Sequence, residues 1–217
     1  MKLLLTSAGI TNKSIEKAFF ELLGKPFSDT KIAFIPTASN VEPGDKWWLI
    51  KDLISLQKLG FSEIDIVDIS AISSDAAKER LENADVLYFE GGNTFHLMYW
   101  INKLNFKPFL GELLESRVWV GVSAGSMVAG IGIINDDDRI FVEKLGETVG
   151  TEGLGYVGFS LKPHYLSQLF DDRDDENIAE EAKQFTEPFY AIDDNTAVVV
   201  DGDGFEIVSE GKWKEFK

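Results

Sequence analysis

The chain has no cysteine, two histidines, and no apolar run near the roughly 20 residues that a membrane-crossing helix requires. The first absence excludes a disulfide framework, a thiol nucleophile and thiolate metal sites, and it fits a cytoplasmic protein. The second restricts any imidazole chemistry to His96 or His164. Positive charge is also scarce, with 21 basic residues against 37 acidic ones and a formal net charge of −16. Without a clustered basic face, nucleic acid and anionic membrane are poor partners, and the acidic excess reads as a solvated surface. Met1 to Leu5 looks like the start of a signal peptide, but the apolar run stops at Thr6 and Ser7, too short for its hydrophobic region. It reads better as a first strand. No linker, low-complexity segment or internal repeat divides the 217 residues, so the expectation is a single α/β domain spanning 1–217.

What is present is a regular alternation. Residues 2–8 and 31–38 read as buried strands, separated by a helix at 14–24 with Ser14 as its cap and Gly24 as its stop. A helix at 45–59 ends at Gly60, and Ile64 to Ile69 supplies another strand. A helix at 74–82, a strand at 84–89 and a helix at 94–103 follow. Alternation of this kind predicts a doubly wound, mostly parallel sheet with helices on both faces, and it places chemistry at the carboxyl ends of the strands. The last segments, 188–200, 204–208 and 211–213, read as strand, acidic turn and antiparallel hairpins.

The central stretch is Val118 to Gly130, in which a β-branched run is cut by Gly121-Val122-Ser123-Ala124-Gly125 and followed by small, helix-compatible residues. Gly-x-Ser-x-Gly at a strand-to-helix turn puts Ser123 above the sheet edge with the Ala124 amide beside it, which suits a nucleophile and an oxyanion donor. The bland alternative is a tight crossing whose serine caps a helix. Glu90-Gly91-Gly92-Asn93-Thr94 lies at another strand end, where Gly92 or its neighbour could donate a second amide and Asn93 or Thr94 could equally cap the helix. It lacks the remaining glycine and spacing of a dinucleotide fingerprint. Of the histidines, His96 falls inside a helix among Leu97, Met98 and Trp100, whereas His164 follows Pro163 just past a strand end. His164 is the better base. A third group to orient the imidazole could come from Asp193 or Asp194. Asp136, Asp137 and Asp138 read as a solvated turn, and the glycine-rich 140–155 as an excursion from the sheet. Asp171 to Glu176 opens a helix at 174–185, with Arg173 among acids and available for a carboxylate.

Four of these marks, in this order, resemble one family: Gly-Gly-Asn-Thr-Phe at 91–95, Gly-x-Ser-Ala-Gly at 121–125, Pro-His-Tyr at 163–165, and the acidic turn before Thr196-Ala197. The chain resembles the peptidase E (aspartyl dipeptidase) family and its cyanophycinase relatives, serine peptidases with a class I glutamine amidotransferase-like, flavodoxin-like fold. The resemblance implies Ser123 as nucleophile, His164 as base, and Asp194 where the family carries a glutamate, with Asp136 or Asp193 as sharers of that role. It implies oxyanion amides at Gly92 and Ala124, contacts from Asn93, and Arg173 as the holder of an aspartyl carboxylate. It also implies a homodimer. Glu90 stands where such members usually have a third glycine, and a carboxylate there would repel an acidic substrate.

The resulting expectation is a hydrolase that cleaves a short peptide, aspartyl if Arg173 is placed for it, through an acyl-enzyme with no metal or organic cofactor. Two rivals stand beside it. An α/β-hydrolase-type esterase would draw its acid from Asp136 to Asp138 or Asp171 to Asp174. A catalytically silent protein of the same fold would use the two glycine-rich loops to hold a small anion.

Overall fold

A computed structural model describes residues 1–133 and 150–216. The predicted turn at 135–139, with Asp136, Asp137 and Asp138, and most of the 140–155 excursion lie outside the described residues.

Five parallel strands form the body of the sheet. They are β1 (Lys2–Thr6), β2 (Lys31–Ile35), β3 (Glu63–Ile66), β4 (Val86–Phe89) and β5 (Val118–Val122). Two antiparallel strands, β8 (Thr196–Asp201) and β9 (Gly204–Ser209), extend it on the β1 side, giving the order β3-β2-β4-β5-β1-β8-β9. The inner strands are apolar through their middles because both of their faces are covered. Leu3 and Leu5 enter one core with Phe89 and Trp119, while Leu4 enters the other with Phe34 and Tyr88. The first core packs α4 (Ser74–Glu82), α5 (Thr94–Lys103) and α6 (Phe106–Leu113) on the sheet, and the second packs α1 (Lys13–Leu23) and α3 (Trp47–Leu59). The doubly wound, mostly parallel architecture is therefore as the alternation predicts. Gly24 and Gly60 close α1 and α3 in the left-handed conformation, as helix stops. The cap of α1 is Asn12, not Ser14; its side chain accepts from the Ile15 amide.

Three differences from the sequence reading shape the site. The strand expected over 31–38 stops at Ile35, because residues after Pro36 turn into the short helix α2 (Thr37–Asn40). Helix α6 occupies 106–113, where the sequence reading assigned no element; Pro108 is tolerated in its first turn, where a helix needs no amide. The C-terminal strands do not all form successive hairpins. β8 and β9 do, but β6 (Ser160–Lys162), β7 (Phe189–Ile192) and β10 (Trp213–Phe216) make a separate small sheet in the order β10-β7-β6. With the edge of β1 already taken by β8, these strands pair with one another, and β6 runs parallel to β7.

The strand-to-helix crossing depends on glycine. A Cβ on Gly125 would stand 2.0 Å from the Phe89 carbonyl oxygen, and one on Gly121 would stand 2.5 Å from the Gly125 carbonyl oxygen. Trp119, fully buried and stacked on Phe89 at 3.8 Å, donates its indole N–H to that same Gly125 carbonyl. Gly125→Ala should therefore cost at least about 3 kcal/mol, the range of a backbone-level overpacking clash. Gly158→Ala, with nothing within 4 Å of its Cβ, should change stability by under about 0.5 kcal/mol. Urea unfolding midpoints of the two variants measure the contrast.

Candidate active site

Parallel strands put their carboxyl ends on one edge, so the residues that follow β4, β5 and β1, adjacent in the sheet, become neighbours. Ser7, Glu90 to Gly92 and Ser123 line one cavity of about 410 Å³ there. Ser123 lies between β5 and α7 (Ala124–Met127) at φ 47°, ψ −105°, a conformation that costs a non-glycine residue on the order of 1–3 kcal/mol. Its amide donates to the Thr6 carbonyl at 3.0 Å, and its carbonyl accepts from the Ser126 and Met127 amides. The backbone on both sides thus holds the strained turn.

The partners of Ser123 come from the small sheet. His164 lies two residues past the end of β6 and Asp194 two residues past the end of β7, and because these strands run parallel, both side chains arrive at the same edge. His164 Nε2 is 3.1 Å from Ser123 Oγ, and His164 Nδ1 is 2.7 Å from Asp194 Oδ1. Burial works to raise the Asp194 pKa, but hydrogen bonding and charge from His164, with a further bond from Ser7, hold it below the ordinary carboxylate value. A carboxylate accepting at Nδ1 fixes the proton on that nitrogen and leaves Nε2 as an acceptor toward the serine. His164 also sits at φ 63°, and the Tyr165 amide ties its loop to Ile192 of β7.

Of the other acids considered for this role, Asp193, Asp174 and Asp172 are engaged elsewhere, and Asp136 to Asp138 lie outside the described residues. Asp193 accepts from the Asn195 and Lys212 amides and from the Thr196 hydroxyl, which binds the turn to β10. Asp174 caps α8 (Asp175–Ala182), and Asp172 pairs with Arg173. His96 stays half-buried in α5, where burial lowers its pKa.

Gly92 lines the cavity at φ 125°, and Ala124 opens α7 as its first residue, where a helix amide has no intrahelical acceptor. The glycine turn is clamped by α2: the Asn93 amide donates to the Ala38 carbonyl, and the Ser39 hydroxyl donates to the Gly91 carbonyl. Asn93, expected to contact substrate, serves here as a helix cap. Its side chain is buried, accepts from the His96 amide as the cap of α5, and does not line the cavity. Arg173 does line it. The guanidinium is 6% exposed and lies 4.9 Å over the Phe170 ring, which in turn stacks on His164 at 4.8 Å. Asp172, anchored by buried Lys162, pairs with it, while its Nε meets no acceptor among the described residues.

Two features escaped the sequence reading. Ser7 Oγ donates to Asp194 Oδ1 at 2.7 Å and accepts the His164 amide at 2.8 Å, gripping both ends of the imidazole–carboxylate pair. The signal was a polar residue directly past an all-apolar strand. The second feature is Asp52, one turn before buried Leu56 on α3, which meets Glu90 under the cavity. Glu90 is therefore buried next to another acid instead of facing substrate alone.

A sequence model of peptidase family S51 matches residues 3–208. A peptidase E of Shewanella denitrificans is 27% identical over 214 residues, 95% of this chain and 86% of that protein. An uncharacterized peptidase of Listeria monocytogenes is 27% identical over 172 residues, 79% of this chain and 82% of that one. A crystal structure from L. monocytogenes, described as a candidate peptidase E protein, superposes with a TM-score of 0.81 at 24% identity, covering 97% of this chain and 98% of its own.

Two outcomes follow from the site. Ser7→Ala should lower kcat tenfold to a hundredfold with KM little changed, because the lost bond reaches substrate only through His164; steady-state kinetics separate the two constants. Burial pushes Asp52 up to about 7 from an ordinary 3.8, and burial with the Asp52 charge pushes Glu90 well above its own ordinary value. A raised folded pKa means that stability is present at low pH and is lost as pH rises through about 7. The melting temperature should therefore drop further from pH 5 to pH 8 in wild type than in Glu90→Gln.

Proposed function

The chain belongs to peptidase family S51 and is a serine-type peptidase, and from that membership we propose that it hydrolyses short peptides as a dipeptidase acting on N-terminal aspartyl residues. The observation that carries the reading is the continuous hydrogen-bonded chain from Ser123 through His164 to Asp194, 3.1 and 2.7 Å long at its two links.

In this reading His164 Nε2 takes the Ser123 proton as Oγ attacks the scissile carbonyl, and Asp194 holds the resulting imidazolium. The amides of Gly92 and Ala124 receive the developing oxyanion. His164 then protonates the leaving amine, an acyl-enzyme forms on Ser123, and water activated by the same imidazole releases it. Arg173, buried at the cavity wall with a donor to spare, is the group for an aspartyl side chain. The proposal extends to a cytoplasmic homodimer, supported by the cysteine-free composition and the family resemblance.

The order serine, histidine, acid along the chain differs from the serine, acid, histidine order of an α/β-hydrolase esterase. Replacing Asp194 separates the two readings. Asp194→Asn should lower kcat about a thousandfold or more, as should Ser123→Ala, on Asp-Leu and Asp-p-nitroanilide. Arg173→Gln should raise KM for Asp-Leu and leave Ala-Leu unaffected. Full activity of Asp194→Asn would retire the triad, and cleavage of Ala-Leu in preference to Asp-Leu would retire the aspartyl specificity.

A further inference from the structure

One group of ionisable side chains at the cavity has no part in the triad. Glu90 follows β4 and is 0% exposed, yet it lines the cavity together with Asp52, itself 6% exposed. Its Oε1 accepts the Gly91 amide at 2.9 Å, while its Oε2 receives no hydrogen bond from any described residue. Tyr88 and Lys51 are the neighbouring titratable groups: the Tyr88 hydroxyl donates weakly to Asp52 at 3.4 Å, and the Lys51 charge acts on Asp52 and Asp194 from the cavity rim. The two carboxyl groups hydrogen-bond to each other and burial favours their protonated forms, so an ionised carboxylate in such a place is costly until a cation answers it. The pair is therefore built to receive a donor bearing positive charge.

Its place in the site says which one. Glu90 is joined directly to Gly91, where a Cβ would stand 3.3 Å from Ser123 Cβ, and the Asp52 and Glu90 side chains line the same cavity as the nucleophile. When a dipeptidase attacks the first peptide bond, the substrate's ammonium nitrogen is only two covalent bonds from the attacked carbonyl carbon. A lysine ε-ammonium of the same residue is six bonds away.

We propose that the Asp52–Glu90 carboxyl pair is the subsite that receives the free α-ammonium group of the peptide substrate. The inference rests on the dipeptidase reading above and gives it a physical basis: a buried carboxyl pair that gains full charge only against an incoming ammonium admits free N-termini and rejects blocked ones. It also removes the conflict between Glu90 and an aspartyl substrate, since the pair meets the ammonium while the side chain reaches Arg173 on the other wall.

The test separates binding from turnover. In the Ser123→Ala protein, isothermal titration with Asp-Leu, N-acetyl-Asp-Leu and Lys-Leu is compared with the same titrations in Ser123→Ala/Glu90→Gln and Ser123→Ala/Asp52→Asn. The expected result is at least tenfold weaker binding of Asp-Leu in both double variants, with the acetylated peptide binding weakly and equally in all three proteins. Equal affinity for free and acetylated peptide in the Ser123→Ala background, or no change on either substitution, would overturn the subsite. A loss confined to Lys-Leu would also overturn it, in favour of a side-chain subsite. Glu90→Gly guards against misfolding of the amide variants, since the folded protein must show the same loss. Hydrolysis of Asp-Leu by wild type reports on the dipeptidase reading independently of these affinities.

Discussion

Where α7 crosses the end of β4, the Gly125 backbone comes so near the Phe89 carbonyl that a single methyl group would stand 2.0 Å from its oxygen. That compression is what turns the chain sharply enough to lift Ser123 out of the sheet at φ 47°. The strain is carried by the surrounding packing. Trp119 stacks beneath the crossing and hydrogen-bonds the Gly125 carbonyl, and Ser126 Oγ donates to the Thr6 carbonyl from the neighbouring strand. The rigidity of two hydrophobic cores is thereby transmitted to one hydroxyl oxygen.

The rest of the site is arranged by strand direction. Three adjacent parallel strands of the large sheet deliver Ser7, the glycine turn and Ser123 to one edge, and two parallel strands of the small sheet deliver His164 and Asp194 to face them. Ser7 is the joint between the two sheets. Its hydroxyl belongs to β1's end yet bonds both the His164 amide and the Asp194 carboxylate. A single neutral bond contributes on the order of 1 kcal/mol, more when its acceptor is charged, and here it also ties the end of the large sheet to the loops of the small one.

The electrostatics divide the cavity into two ends. Arg173, buried over Phe170, supplies positive charge on the His164 side, and the Asp52–Glu90 pair, held toward its protonated forms by burial, offers carboxyl groups on the α3 side that ionise against a cation. Both would be expensive to bury without partners, and Arg173 already has one in Asp172. In a cavity of about 410 Å³ these opposed charges fit a small zwitterion better than an apolar acyl chain.

Much of this was legible in the sequence because it is local. The Gly-x-Ser-x-Gly crossing, the Gly-Gly-Asn turn and the histidine past a strand end are each written in consecutive residues, and their backbone needs follow from those residues alone. The helix stops at Gly24 and Gly60 are of the same kind. Pairings between distant segments were not. Asp193 and Asp194 are neighbours in one acidic turn, and only the folded chain decides that the first bonds Lys212 and Thr196 while the second meets His164. Asp52 and Glu90, 38 positions apart, become a pair because α3 and β4 share one core, and Ser7 meets Asp194, 187 positions away, only because the fold brings the large and small sheets together. By itself the sequence determined the alternating architecture and the residues able to do the chemistry, since period and turn geometry are short-range properties. The tertiary structure decided which carboxylate orients the histidine, which serine braces it, and which acids are left buried in the cavity, since those depend on contacts between segments far apart in the chain.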